Sequence, residues 1–361
     1  MTGVGIIGRS VVTPLGDTPE GVFQAARKGC SALKPYTDTS EVYWASRLER
    51  KGFGGDSFFE AVALEAARKA VADAGIDPSG AGFILSTIKG DIEKLGSGDV
   101  SLAASAAHIA RALGVQAAPV VVSNACISGV AAVVQGMRMI RDGAFRHVIV
   151  VGAELQSRFI VTGFQALKAL SQEPCRPFDA ARDGLNLGEA AAAMVLTALD
   201  TPEESAGWEL LSGAIRNDAN HISGPSRTGE GSYNALRAVL PFVRKEDLAF
   251  VNVHGTATRY NDEMEAIALD RAGLLDVPIN SLKGVFGHTM GAAGILESIL
   301  SMEALEAGIV LPTRGFHELG VSAPVKVSAC EQAVRGNAFV KLLSGFGGVN
   351  GALLFRKGGA R

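Results

Sequence analysis

The sequence predicts an α/β protein of two similar halves, each a sheet covered by helices on both faces. Three observations carry this. Strand-length runs such as Val4–Ile7 and Val120–Ser123 are almost continuously apolar, the pattern of strands with no wet face. Segments of helical period, such as Ser57–Ala74 and Ser101–Leu113, separate those runs. The same alternation begins again after a polar stretch at Leu199–Ala206, which suggests a duplication weak in sequence.

In chain order, the first half offers strands at Val4–Ile7, Phe83–Ser86, Val120–Ser123, His147–Gly152 and Ala191–Leu196. A third helical pattern, Val130–Asp142, lies between the third and fourth of these. The second half offers strands at Glu209–Ala214, Ala249–His254, Pro278–Ser281, Ala338–Ser344 and Ala352–Phe355. Its helices are expected at Asn234–Val243, Glu263–Ala272 and Ala292–Ala307. Residues 1–200 and 201–361 are therefore read as two halves packed into one body.

At 361 residues the chain can bury a large core. With 47% hydrophobic and 20% charged residues it is globular rather than disordered. A net charge of −3 with the signs mixed leaves no basic tract for nucleic acid or an anionic membrane. No apolar run is long enough to span a bilayer, so no membrane insertion is expected. The start at Val4–Gly8 reads as a buried strand rather than a basic leader. Cys30, Cys126, Cys175 and Cys330 are few and scattered, which argues for reduced thiols and a cytoplasmic location.

Four segments could carry chemistry. In Val121-Val122-Ser123-Asn124-Ala125-Cys126-Ile127-Ser128-Gly129, a β-branched run ends abruptly at a cysteine and a small-residue helix begins. Backbone N–H groups at a helix start favour a thiolate there and can hold an oxyanion. By itself the turn suits a small core residue equally well. His254-Gly255-Thr256-Ala257-Thr258 ends another apolar strand and is placed to face a cleft. Lys283 and His288 share one glycine-rich loop that feeds a helix. Ser344-Gly345-Phe346-Gly347-Gly348 reads as a tight hairpin with one bulky side chain. His108, His147, His221 and His317 lack such settings and are read as structural.

Together these segments resemble the elongating β-ketoacyl-ACP synthases, condensing enzymes of the thiolase superfamily. The resemblance spans the chain and includes Arg176-Pro177-Phe178-Asp179-Ala180-Ala181-Arg182-Asp183-Gly184 with Gly188-Glu189, and Asn261-Asp262. It implies a thiolase-like fold, with duplicated α/β halves in five α-β-α-β-α layers. It implies a decarboxylative Claisen condensation by an acyltransferase of Cys-His-His type. Cys126 would take an acyl group from acyl carrier protein, and His254 and His288 would stabilise the enolate formed from malonyl-ACP. Lys283 would hold the histidines in place, and the Cys126 and Phe346 N–H groups would form the oxyanion hole. The Phe346 ring would gate the site. Thr256 and Thr258 would contact the phosphopantetheine arm of the carrier, and no metal or redox cofactor is expected.

Ile88 matches a position at the acyl pocket. The chain departs from the family at Ile127 after the nucleophile, and at Arg259 where proline is usual. Both are candidate substrate contacts, Arg259 through a phosphate or an acidic carrier. Only Lys89 through Ala118 fills a span that is commonly longer. The compact form looks more like secondary-metabolite ketosynthases, those of aryl polyene and related pathways first, than housekeeping fatty-acid enzymes, within an expected role in polyketide, aryl polyene or fatty-acid biosynthesis. A dimer joined near the nucleophile strand is implied, either homodimer or heterodimer with a chain-length-factor-like subunit. A degradative thiolase would want a second cysteine in a glycine-rich turn, where Phe346 stands. A non-catalytic chain-length-factor-like subunit would lack Cys126.

Overall fold

The computed structural model describes residues 2–39, 41–52, 57–96, 98, 100–200 and 207–358. The proposed join at 199–206 falls largely outside them. Ten strands hydrogen-bond into one sheet. From the first half come β1 (Gly3–Val12), β2 (Gly82–Ser86), β3 (Val120–Val122), β4 (His147–Glu154) and β5 (Ala190–Leu199). From the second come β6 (Trp208–Asn217), β7 (Leu248–Asn252), β8 (Ile279–Asn280), β9 (Ala338–Gly345) and β10 (Val349–Lys357).

The spatial order is β8-β7-β9-β10-β6-β1-β5-β4-β2-β3. Taken from its outer edge, each half runs third, second, fourth, fifth, first. In each half the outer three strands are parallel and the inner pairings antiparallel. The duplication expected from the sequence is therefore present in the topology, strand for strand. The halves meet where β1 and β6 pair antiparallel, Gly5 with Glu209 and Ile6 with Trp208.

Side-chain alternation sorts the layers, because successive residues of a strand face opposite ways. Along β5, Ala191, Ala193 and Val195 pack outward on the helices Phe58–Ala74 and Leu102–Leu113. Ala192, Met194 and Leu196 pack inward on Ser128–Arg141 and Ala293–Glu306. Along β9, Phe339 and Leu343 face the same central helices, while Val340 and Leu342 face the outer pair Glu230–Val239 and Arg259–Arg271. The result is the expected α-β-α-β-α stack. A helix enclosed between the two halves of the sheet has no wet side, and 12 of the 14 residues of Ala293–Glu306 are buried. The central helices cross at Gly129 and Gly294, where a Cβ on Gly294 would lie 2.5 Å from the Val130 nitrogen.

Some elements lay beyond the sequence pattern. The helices Pro19–Arg27 and Arg158–Ala166, and the three-stranded patch Lys34–Tyr36, Tyr43–Ser46 and Leu187–Gly188, are too short to set up a clear period.

Candidate active site

The nucleophile turn joins β3 to the helix Ser128–Arg141. Ala125 adopts φ 47°, a left-handed conformation unusual for a residue with a Cβ, and this turns the chain sharply. Ser128 Oγ accepts from the Asn124 N–H at 2.8 Å and donates to the Ala125 carbonyl at 2.6 Å, which fixes that turn. Gly345 lies against it: a Cβ there would meet the Cys126 nitrogen at 3.1 Å. The backbone N–H groups of Phe346 and Cys126 both act on the Cys126 sulfur.

The sequence argument expected this position to favour a thiolate, and the net effect is the reverse. Burial pushes the Cys126 thiol up to about 11, against the opposing pull of the Lys283 ammonium and the two N–H groups. The resting group is the thiol.

His254 follows β7. The turn after it is held by two carboxylates of the helix Arg259–Arg271. Glu265 accepts from the His254 and Gly255 N–H groups, each at 2.7 Å, and Asp262 accepts from the Thr256 N–H at 3.0 Å. Asp262 also accepts from the Phe178 N–H at 2.7 Å, which ties the Arg176–Gly184 segment to the site. His288 is held by the Asn186 carbonyl, which accepts its N–H at 2.7 Å, and by the Gly188 N–H, which donates to its carbonyl at 3.0 Å.

Cys126, His254 and His288 come together. One side-chain donor atom of each lies within 4.8 Å of the others, and the imidazole centroids are 5.0 Å apart at 78°. His288 Nδ1 accepts the Met290 N–H at 3.3 Å, so its proton sits on Nε2. Among the described residues, that Nε2 and the Nδ1 of His254 are buried without a partner. Burial, reinforced by Lys283, holds both imidazoles well below the usual histidine range. Both are neutral at neutral pH.

Lys283 is 1% exposed and is paired with Glu297, whose other oxygen takes Lys341. Lys341 also donates to Asn252 Oδ1 at 2.7 Å and to the Val253 carbonyl at 3.2 Å. Sequence reasoning missed Glu297 and Lys341. Their signal was legible: each is a lone charge in an apolar run, Ile295-Leu296-Glu297-Ser298-Ile299 and Phe339-Val340-Lys341-Leu342-Leu343. It also missed Glu154, which accepts from the Ile88 N–H at 2.8 Å and the Gly291 N–H at 3.0 Å and so ties two walls of the site together.

A cleft of about 470 Å³ leads to these groups, lined in part by Cys126, both histidines, Thr256, Thr258, Arg259 and Phe346. The two threonine hydroxyls share a hydrogen bond of 2.9 Å. Phe346, 40% exposed, stacks on Phe164 with centroids 6.1 Å apart. His221, read as structural from the sequence, also lines the cleft. Ile88 is not in the cleft lining but packs in an apolar cluster with Phe164 and Met290, and Phe164 lines the cleft. Ile127, expected as a substrate contact, instead points into the central core and is wholly buried there.

Residues 1–201 match the family description "Beta-ketoacyl synthase, N-terminal domain", and residues 209–317 match "Beta-ketoacyl synthase, C-terminal domain". The tetracenomycin polyketide synthase ketoacyl synthase alpha subunit of Streptomyces glaucescens is 34% identical over 267 residues, covering 69% of this chain and 62% of that protein. The chain spans 62–64% of the length of the first curated relatives it matches. A β-ketoacyl synthase from Burkholderia phymatum STM815 superimposes with a TM-score of 0.89 at 26% identity, covering 99% of this chain and 100% of that one. A structure of the ishigamide ketosynthase/chain length factor gives 0.88 at 26% identity, with coverage of 99% and 100%.

Proposed function

Since the chain belongs to the β-ketoacyl synthase family, we propose that it performs a decarboxylative Claisen condensation between an acyl group held on Cys126 and malonyl-ACP. The observation that carries this reading is the convergence of one buried thiol and two neutral imidazoles beside two backbone N–H groups.

In the first half-reaction the Cys126 sulfur attacks the acyl thioester of the carrier. The Cys126 and Phe346 N–H groups hold the oxyanion. The thiol proton leaves with the pantetheine sulfur, and the acyl group stays on Cys126. In the second, malonyl-ACP enters and its carboxylate departs as carbon dioxide. The bonding pair becomes an enolate whose oxygen accepts from the histidine N–H groups. An imidazolium would hold a proton ready to quench that carbanion, so neutral imidazoles suit the step. The enolate carbon attacks the acyl carbonyl, and the Cys126 sulfur is expelled as a thiolate as the new carbon–carbon bond forms; a proton taken up from solvent restores the resting thiol. Loss of carbon dioxide drives the reaction, which calls for no metal or redox cofactor.

Thr256 and Thr258, paired in the cleft, would meet the pantetheine arm. Arg259 at the cleft would meet its phosphate or an acidic carrier surface. Ile88 would border the acyl chain, and Phe346, stacked on Phe164, would move to admit it. The open edge of β3, beside the nucleophile turn, supports pairing with a second subunit, either another copy or a chain-length-factor-like chain. Among the described residues no helix is long and apolar enough to cross a membrane. The four free cysteines support a cytoplasmic setting. The pathway would be that of a polyketide, an aryl polyene or a fatty acid. The test is incubation with acyl-ACP and malonyl-ACP: the reading requires carbon dioxide and ketoacyl-ACP in equal amounts, and absence of both with every carrier-bound chain would refute it.

A further inference from the structure

We propose that Lys341 is a positioning residue of this site, whose ammonium fixes the strand end carrying His254 and, together with Lys283, puts two cations on one bridging carboxylate close enough to act on both imidazoles. The proposal rests on the condensation reading for its kinetic consequence, but its structural core does not.

Lys341 lies on β9 between Phe339 and Leu343 and faces the central layer, fully buried. A lysine is almost never enclosed in this way unless its donors are all used. Here they are, by the Glu297 carboxylate, Asn252 Oδ1 at 2.7 Å and the Val253 carbonyl at 3.2 Å. Asn252 ends β7 and Val253 precedes His254 directly, so the last two contacts hold the backbone from which that imidazole projects. Asn252 in turn donates to Asn280 Oδ1 at 3.0 Å, which extends the network toward the loop bearing Lys283 and His288. The Glu297 bridge closes the circuit from the other side, through Lys283.

The charge count gives a second role. Two buried ammonium groups bond to a single carboxylate, and Glu265 acts on Lys341 only through space. The groups facing His254 are Cys126, His288, Lys283 and Lys341, with Glu297 behind the lysines and Glu265 and Asp262 on the helix Arg259–Arg271. Glu265 and Asp262 are spent on backbone N–H groups, and burial pushes their carboxyls up to about 7 and about 6. Both lysines act on the histidines and favour the neutral form of each. The same field favours an enolate above them.

The test is Lys341→Met, with selectively labelled histidine for NMR titration. Acyl loading of Cys126 should survive, while condensation falls roughly 100-fold as His254 loses its seat. The titration midpoint of His254 should rise by about one pH unit with the neighbouring cation gone, and the acidic limb of the rate profile should rise with it. A variant that is merely less heat-stable, with condensation and both histidine midpoints unchanged, overturns the proposal. If Lys341→Met does not fold, Asn252→Ala removes the anchor and keeps the charge. Condensation should then fall while the midpoints stay, and unimpaired condensation overturns the positioning role. Should wild type yield no ketoacyl product, the condensation reading fails, yet the titrations still decide whether Lys341 sets the histidine charge.

Discussion

Glu297 holds two ammonium groups and is itself almost wholly buried. Burial alone would raise its pKa, but Lys283 and Lys341 outweigh that and hold it below the ordinary value. Glu297→Gln would leave two buried cations without a countercharge. The expected cost is about 3 kcal/mol of stability, read as a lower denaturant midpoint, even as Lys341 (already down at about 8) sheds its proton. An unchanged midpoint would mean that the triad is not ionised as described. At this scale the sequence was informative where a motif surrounds the residue, as for Cys126, His254 and His288. It was silent where one charge answers another far along the chain: Lys341 and Glu297 are 44 positions apart. No local pattern announces their contact, only the oddity of a charge in an apolar run.

Among the elements, the central helix pair tolerates little change. Gly129 and Gly294 let the two backbones touch, and a side chain at Gly294 would meet backbone at 2.5 Å and 2.8 Å. Alanine is the better helix former by about 1 kcal/mol, but backbone on both sides cannot yield. Gly294→Ala should therefore lose about 1–3 kcal/mol overall and disturb the Cys126 turn that begins one of these helices. Thermal melts and alkylation of Cys126 would show it; a stabilised variant would contradict the close crossing. The strands and longer helices were legible because apolar runs and helical periods set them. The left-handed turn at Ala125, the inward aim of Ile127 and the approach of the Gly345–Phe346 turn to Cys126 depend on tertiary packing, which periodicity does not encode.

For the whole molecule, repetition of one strand order in both halves brings the nucleophile and its histidine partners to one site from different halves of the chain. Cys126 comes from the first half and His254 and His288 from the second, with the helices that follow Cys126 and His288 enclosed between the two halves of the sheet. Such halves share one core, so unfolding followed by far-ultraviolet and near-ultraviolet dichroism should give coincident transitions. Separate transitions would show that the halves are independent. The sequence announced this duplication through its repeated grammar, while the strand order and the seam at Gly5 and Ile6 emerged only from the pairing.

The most direct test of the central claim is intact-mass spectrometry of wild type and Cys126→Ala after exposure to acyl-ACP and then malonyl-ACP. The account predicts an acyl adduct on wild type that maps to Cys126, is discharged as ketoacyl-ACP by malonyl-ACP, and is missing from the variant. An adduct that persists in Cys126→Ala, or no loading of wild type even with a partner subunit supplied, would contradict it.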